Sequence, residues 1–104
     1  MNTKLPLQLH WIVHEPARLG LMMMLAESPK TFMQIKRELG LTDGNIVHHS
    51  LRLEDVGYVQ QSKPAKETIF RLTDDGFQAL SDYTVVAAEV SASLRAIVTR
   101  TARA

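Results

Sequence analysis

Two predicted helices separated by only two residues constrain the fold of this chain more than any other feature. The first begins at Thr31, because Thr31 and Gln34 have the spacing of a capping box, and it ends at Gly40. The second begins at Thr42, whose hydroxyl can cap a helix. A connection made only of Gly40 and Leu41 leaves no room for an antiparallel arrangement. The two helices are therefore predicted to meet at a steep angle.

The residues after this helix pair change to a pattern typical of strands. Residues 58–62 and 67–72 contain β-branched and aromatic residues, and they flank the turn formed by residues 63–66, which has lysine at both ends. We therefore expect a two-stranded hairpin with a basic tip over residues 58–72, which we call the wing.

A long helix is predicted to follow the wing. Thr73 can cap it, and it runs from about Asp74 to near Arg100 without a break. This length exceeds what a domain of this size needs to cover its own core. Phe77 and Leu80 are expected to anchor the helix to the domain. Beyond them a seam has the alternating spacings of four and three that helix–helix contacts use: Tyr83, Ala87, Val90, Leu94, Ile97 and Thr101.

We expect this seam to form a homodimer interface together with Leu7 and Trp11 of the N-terminal segment. An intramolecular contact between the seam and that segment is the alternative. Residues 5–14 show both helical and alternating apolar spacing, so periodicity does not decide their structure. We favour a short helix that docks on the rest of the protein or on a partner subunit.

At 104 residues the chain is expected to form a single domain, with an N-terminal docking segment (1–14), a core (15–76) and the long helix (77–104). The predicted fold is mainly α with a small β-hairpin, an α+β class, and its helix pair has helix-turn-helix geometry. The chain contains no cysteine, which excludes thiolate metal sites, disulfides and a cysteine nucleophile. The apolar run at residues 5–13 is too short and too polar for a signal sequence or a membrane span. We therefore expect a cytoplasmic protein without a membrane partner.

Three segments carry a resemblance to a known family. They are HEPARLGLMMML (residues 14–25), TFMQIKRELGLTDGNIVHHSLRLEDVGYV (residues 31–59) and TIFRLTDDG (residues 68–76). In this order and spacing the chain resembles winged helix-turn-helix transcriptional regulators related to the MarR and ArsR groups. The pattern departs from that family at Ser50, where leucine is usual, and in its short wing. The resemblance implies a homodimer that binds double-stranded DNA at specific sequences.

In a helix-turn-helix protein the second helix enters the major groove, so residues 42–56 are the expected recognition helix. Winding these residues at 100° each gives two faces. The side expected to face the groove carries Gly44, Val47, His48, Leu51 and Asp55, with Asn45 and Arg52 at its flanks. The side expected to pack inward carries Ile46, His49, Ser50, Leu53 and Val56.

Several residue types are suited to particular contacts with DNA. A glycine at position 44 permits close backbone approach, Asn45 suits adenine, and Arg52 suits guanine or phosphate. Basic residues of the wing and of the preceding helices are candidates for phosphate contacts, although Arg18 is equally suited to a salt bridge with a neighbouring acidic residue. The expected DNA contacts are Thr42, Asp43, Gly44, Asn45, His48, Arg52, Lys63, Lys66, Arg71, Arg18, Lys36 and Arg37.

The two adjacent histidines are predicted to have different roles. His48 falls on the groove side, whereas His49 is expected to be partly buried and hydrogen-bonded to the backbone or a neighbour. His10 and His14 have a spacing that could hold a metal on a helix, but no third ligand is evident. The HExxH motif of zinc proteases fails because Arg18 occupies the position of its second histidine. We therefore expect no metal, no cofactor and no enzymatic activity.

Two residues on the groove side do not suit a phosphate backbone. Leu51 is apolar and Asp55 is acidic, and the net charge of the chain is only +1. Leu51 could contact a thymine methyl group, or it could belong to a protein-binding surface. A winged-helix module for protein–protein contacts is therefore the alternative function. The sequence does not indicate a small effector, although dimer interfaces can form pockets for one.

Overall fold

The computed structural model describes residues 11–103 of the chain. Within this range the elements alternate between helices and short strands, and a single long helix ends the chain. In order they are α1 (Pro16–Glu27), β1 (Lys30–Thr31), α2 (Phe32–Leu39), α3 (Asp43–Asp55), β2 (Val59–Ser62), β3 (Ile69–Leu72) and α4 (Asp74–Arg103). The predicted mainly helical α+β fold is thus confirmed.

Helices α2 and α3 begin and end as their capping residues predict. The Thr31 hydroxyl accepts from the backbone N–H of Gln34 at 3.2 Å, and the Gln34 side chain accepts from the N–H of Thr31 at 2.8 Å. Gly40 ends α2 at φ 64°, in the left-handed region that favours glycine. Thr42 then caps α3, since its hydroxyl accepts from the N–H of Asn45 at 3.1 Å. Three side chains and one glycine therefore determine both ends of α2 and the start of α3.

The predicted hairpin is confirmed, because β2 and β3 pair antiparallel, and a third strand extends it to a three-stranded sheet. The strand order is β1-β3-β2, and both pairings are antiparallel. In β1, Lys30 pairs with Phe70 and Thr31 with Ile69. A two-residue strand is too short to show alternation in the sequence, which explains why it was missed. The extra pairing connects the start of α2 directly to the wing.

The core lies between α1, α2, α3 and the inner face of the sheet. Helix α1 contacts all three other helices and β3. Ser50, the departure from the family pattern, is buried, and its hydroxyl donates to the Val47 carbonyl at 3.2 Å. Val56, expected on the inner face of α3, is exposed because the helix ends at Asp55 and Val56 has left the helical geometry. The fully buried apolar side chains include Val13, Leu21, Met22, Ile35, Ile46, Leu53, Val59 and Phe70.

The start of α4 is held against the residues that connect α3 to β2. The Thr73 hydroxyl donates to the Gly57 carbonyl at 2.5 Å and accepts from the N–H of Gly76 at 3.0 Å. At Gly76 the helix lies so close to the Tyr58 carbonyl that a Cβ atom would collide with it. Phe77, the next residue around the helix, therefore points away and is 46% exposed, which corrects its predicted anchoring role. Leu80 does pack against the core.

The N-terminal docking segment is described only from residue 11 onward. Residues 11–15 form turns and a bend rather than a helix. Leu7 and His10, and with them most of the helix expected over residues 5–14, lie outside the described residues. Among residues 11–103, no helix is both long enough and apolar enough to cross a membrane.

Candidate nucleic-acid interface

The outward face of α3 contains the residues expected to face a DNA groove. Gly44, Val47, His48, Leu51 and Asp55 are all exposed. Ile46, Ser50 and Leu53 fix the opposite face because they are fully buried. The helix is therefore attached along one side and open along the other.

The first turn of α3 combines an open backbone with exposed polar groups. Among the described residues, a Cβ atom added at Gly44 would meet no heavy atom within 4 Å outside its own stretch of helix, so this part of the chain does not cover the position. Asn45 is exposed beside it. Asp43 lies in the same turn, where a carboxylate complements the helix dipole, and its Oδ1 is 2.7 Å from Nζ of Lys36. This ion pair across the turn partly neutralises both side chains.

Basic side chains are exposed on either side of α3. Lys36 and Arg37 lie in the last turn of α2, where their charge also complements the helix dipole. Arg52 is exposed near the end of α3. These positions suit phosphate contacts, and whether they make them stays a prediction.

The wing carries its basic residues outward. Lys63 and Lys66 are exposed in the bend between β2 and β3, and Arg71 is exposed opposite Gln60 in the strand pairing. The wing is also tied to α3, because the backbone N–H of Gln61 donates to Oε2 of Glu54 at 3.3 Å. No local pattern in the sequence predicts this contact, because the Glu54 carboxylate accepts from a backbone group on an edge strand.

Arg18 does not lie on the interface, so its predicted phosphate contact is corrected. Its side chain is only 6% exposed. The guanidinium Nε donates to the Ile12 carbonyl at 2.7 Å, and Nη1 lies 3.2 Å from Nδ1 of His49. Glu15, the nearby acidic residue, instead caps α1 by accepting from the backbone N–H of Arg18. Arg18 thus joins three separate segments inside the fold.

This arrangement determines the protonation state of His49. A guanidinium has only donors, so Nη1 of Arg18 must donate to Nδ1 of His49, which leaves the ring proton on Nε2. Burial lowers the pKa of His49, and the charge of Arg18 and His48 lower it further, while the Glu15 carboxylate opposes the shift. The Arg18 hydrogen bond and the lowered pKa both favour a neutral His49 ring at pH 7, where the 3.8 Å approach of its Nδ1 to Oε1 of Glu15 is a contact rather than an ion pair. The predicted partly buried, hydrogen-bonded His49 is confirmed.

The two adjacent histidines differ in exposure, but their rings remain in contact. His48 is exposed, and its ring centroid lies 5.0 Å from that of His49 at an interplanar angle of 62°. The prediction that they lie on different sides of α3 is confirmed, and ring contact between the two side chains is an addition to it. His14 lies elsewhere, with Nδ1 2.6 Å from the Tyr83 hydroxyl. Among the described residues, no group of three acidic, histidine or cysteine side chains could hold a metal ion.

The seam on α4 is divided between the fold and the surface. Tyr83 packs partly against the core of its own chain, and its role in a dimer interface stays a prediction. Val90 is half-buried, while Ala87 and Thr101 are exposed. Leu94 and Ile97 are 56% and 52% exposed, and Val85, Val98 and Trp11 are also exposed. The distal half of α4 therefore presents an exposed apolar stripe. It consists of Leu94 and Ile97 of the predicted seam together with Val98, which the seam did not include.

Two contacting helices joined by three residues, a sheet that ends in a basic wing and a long closing helix define a winged helix-turn-helix protein. The chain belongs to the family of winged helix DNA-binding domains, whose model matches residues 17–90. The resemblance based on the sequence is confirmed at this level. The family is one of DNA-binding domains rather than enzymes, in agreement with the sequence.

Solved structures of regulators share the fold. A transcriptional regulator homologue of Pyrococcus horikoshii is 30% identical, with a TM-score of 0.71 over 80% of this chain and 87% of that chain. The transcriptional repressor BigR of Xylella fastidiosa is 21% identical, with a TM-score of 0.65 over 79% of this chain and 83% of that one. RosR of H. salinarum is 22% identical, with a TM-score of 0.67 over 85% and 93% of the two chains. The last two similarities concern the fold alone.

A curated relative matches only part of the chain. It is an uncharacterized protein of Methanocaldococcus jannaschii, 38% identical over 56 residues. The match covers 50% of this chain and 61% of that protein. The narrower relationship to the MarR and ArsR groups stays a prediction.

Proposed function

We propose that this chain is a transcriptional regulator that binds double-stranded DNA at specific sequences as a homodimer. In this proposal α3 lies in the major groove, and the wing contacts the backbone or the minor groove. The observation that carries the proposal is the outward face of α3, which begins at the uncovered Gly44 and is flanked by exposed basic side chains. Regulators among the solved structures of similar fold support it.

The shape of the outward face suits the groove. A major groove is about 12 Å wide and accepts one α-helix, whose N-terminal residues contact the base edges. Asn45 lies at that end of α3 and can form the paired hydrogen bonds that distinguish adenine. The backbone at Gly44 can approach the DNA closely because no side chain separates the two.

The exposed basic residues would position the protein without reading the sequence. Lys63, Lys66 and Arg71 of the wing and Arg37 and Arg52 beside α3 are exposed. None of these side chains takes part in an ion pair among the described residues. Such groups can bind phosphates and release counterions, so affinity should fall steeply as salt is raised.

A charge-reversed wing tests the DNA-binding part of the proposal. Each phosphate neutralised by a lysine adds about 0.9 to the slope of log affinity against log salt. Lys63→Glu with Lys66→Glu removes two lysines from each protomer, so the slope should fall by about 3 to 4 in a dimer and binding should weaken for all sequences similarly. Fluorescence anisotropy with labelled duplex DNA measures both quantities.

The matched control carries the same change in charge elsewhere. Arg95→Glu with Arg100→Glu alters two exposed arginines of distal α4. This control should retain the wild-type salt slope. An equal loss of affinity in both variants would mean that net charge, rather than the wing, controls binding. If the wild type does not bind duplex DNA at micromolar concentration and low salt, the protein-interaction alternative replaces the proposal.

The apolar stripe on α4 supports the dimer. Leu94 and Ile97 are more than half exposed on a helix of 30 residues, and Ala87 and Val90 continue the same seam toward the domain. A two-fold axis would pair this stripe with itself and place the two α3 helices over half-sites about one DNA turn apart. Leu7 and Trp11 complete the proposed interface. The core (15–76) would then bind DNA, and the helix (77–104) would hold the protomers together.

Paired glutamates on α4 test the dimer. Leu94→Glu with Ile97→Glu should give a monomer by sedimentation velocity, since charges would be buried at the seam. Ala92→Glu with Thr99→Glu adds the same charge on the opposite side of the exposed helix, and this variant should remain a dimer. A wild-type protein that sediments as a monomer at high concentration would contradict the proposed assembly.

A further inference from the structure

Two branched apolar side chains are about half exposed on the outward face of α3. Val47 and Leu51 are each 47% exposed, and they lie one turn apart on the same face. Single exposed apolar residues are common on protein surfaces. Here, however, the pair occupies the middle of the face that the fold turns toward DNA. We therefore ask which chemical group of the DNA could contact this apolar pair.

The charge of this face argues against phosphate as its partner. Val47 and Leu51 are followed by the acidic Asp55, and the nearest acidic group at the other end, Asp43, holds Lys36 in an ion pair. The basic residues lie at the flanks and on the wing. Phosphates would therefore meet the edges of the interface, and the middle would meet the base edges.

The major groove contains one apolar group, the C5-methyl group of thymine. We propose that Val47 and Leu51 are specificity-determining residues that contact thymine methyl groups. This inference rests on the proposed function, because it assumes that α3 enters the groove. It assigns a class of DNA sequence to the interface, namely half-sites with thymine at two defined positions.

The geometry of α3 gives the expected spacing of these thymines. Four residues advance along a helix by about 6 Å, whereas successive base pairs are about 3.4 Å apart. The two methyl groups should therefore lie about two base-pair steps apart when the helix follows the groove. Gly44, one turn before Val47, lets the helix come close enough for the short valine to reach a methyl group.

The polar neighbours favour the same base pairs. Asn45 is exposed at the start of α3 and suits the N6 and N7 atoms of adenine. An A·T pair presents these atoms and the thymine methyl group along one edge of the major groove. Amide and apolar side chains on one helix face can therefore read a short A·T-containing segment together.

Removal of the methyl groups from the DNA tests the inference. A site is first selected from a randomised duplex pool with the wild-type protein, and deoxyuridine then replaces each thymine singly. Deoxyuridine keeps the base pairing and lacks only the C5-methyl group. Burial of one methyl group strengthens binding about four-fold. Replacement of the thymine at either of two positions in a half-site should therefore lower the affinity about four-fold, and replacement at other positions should not.

The protein variants assign each loss to a side chain. Val47→Ala and Leu51→Ala alter exposed positions in a helix, so both variants should fold. Each should bind the thymine site more weakly than the wild type does and should lose its sensitivity to deoxyuridine at one position, as expected in a double-mutant cycle. Val85→Ala alters an exposed valine on the side of α4 opposite the seam, and it should keep the wild-type sensitivity at every position.

The outcomes distinguish this inference from the proposed function. Equal affinity for thymine and deoxyuridine sites overturns the inference and leaves sequence-specific binding intact. A deoxyuridine penalty that persists in both alanine variants also overturns it, because the methyl groups then act through DNA shape. If no site is enriched and the wild type does not bind duplex DNA, the proposed function fails, and Val47 and Leu51 belong to a protein-binding surface.

Discussion

Replacement of Gly44 by alanine should separate the stability of the protein from its affinity for DNA. Gly44 is the second residue of α3, and its φ is not positive, so alanine fits there without strain. An added Cβ would have no heavy atom within 4 Å. Alanine restricts the unfolded chain and favours the helix, so the free energy of unfolding should rise by about 0.5–1 kcal/mol.

The same methyl group should weaken DNA binding. In the proposed complex it stands between the first turn of α3 and the DNA. Steric overlap in a packed contact costs about 1–3 kcal/mol, which corresponds to about 5- to 150-fold in affinity. Urea unfolding followed by circular dichroism measures the stability, at one fixed protein concentration because a dimer is stabilised by mass action. Fluorescence anisotropy measures the affinity.

Gly76→Ala is the control for Gly44→Ala, because Gly76 also lies in a helix but is closely packed where Gly44 is open. Its Cβ would collide with the Tyr58 carbonyl and lie 2.7 Å from Cδ1 of Leu72. The free energy of unfolding should therefore fall by about 1–3 kcal/mol, while the folded protein should lose less DNA affinity than Gly44→Ala does. If Gly44→Ala gains stability and binds DNA as the wild type does, the first turn of α3 does not approach the DNA, and its placement in the groove is wrong.

Two further predictions concern the buried cluster behind α3. Because the pKa of His49 is lowered from 6.5, the unfolded chain takes up a proton that the folded chain does not, and the free energy of unfolding should fall as the pH drops below 6.5. The limiting slope of the free energy of unfolding is about 1.4 kcal/mol per pH unit. Urea unfolding should find this slope reduced in His49→Gln and nearly retained in His48→Gln, because His48 is the smallest of the causes that lower the pKa of His49. Arg18→Met should cost about 1–3 kcal/mol for each partner left unsatisfied, the Ile12 carbonyl and Nδ1 of His49, without loss of DNA affinity in the folded protein. A loss of affinity at unchanged stability would restore a phosphate-binding role for Arg18.

Local signals in the sequence predict most of the helices but not their connections to the sheet. Thr31, Gly40 and Thr42 determine the ends of α2 and α3 through bonds to atoms within four residues, so the sequence alone reveals them. Strand β1 has only two residues and depends on its pairing with β3, which is distant along the chain. No local pattern predicts such a pairing.

The candidate site shows the same limit. Periodicity places Val47, His48 and Leu51 outward on α3, because exposure along a helix follows from its turn angle. Arg18 was misplaced because a basic residue near a helix start usually faces solvent. Its burial depends on Ile12 and His49, which come from two other segments and meet only in the folded chain.

The division of α3 into two independent faces has a consequence for engineering. Ile46, Ser50 and Leu53 hold the helix in place, while the side chains of Val47 and Leu51 contribute nothing to the core. The exposed residues of α3 can therefore be substituted together while the buried residues are kept unchanged. A library randomised only on the outer face should consist largely of folded proteins. A screen of that library for altered operator preference would then compare variants that differ in DNA recognition, with few variants lost to misfolding.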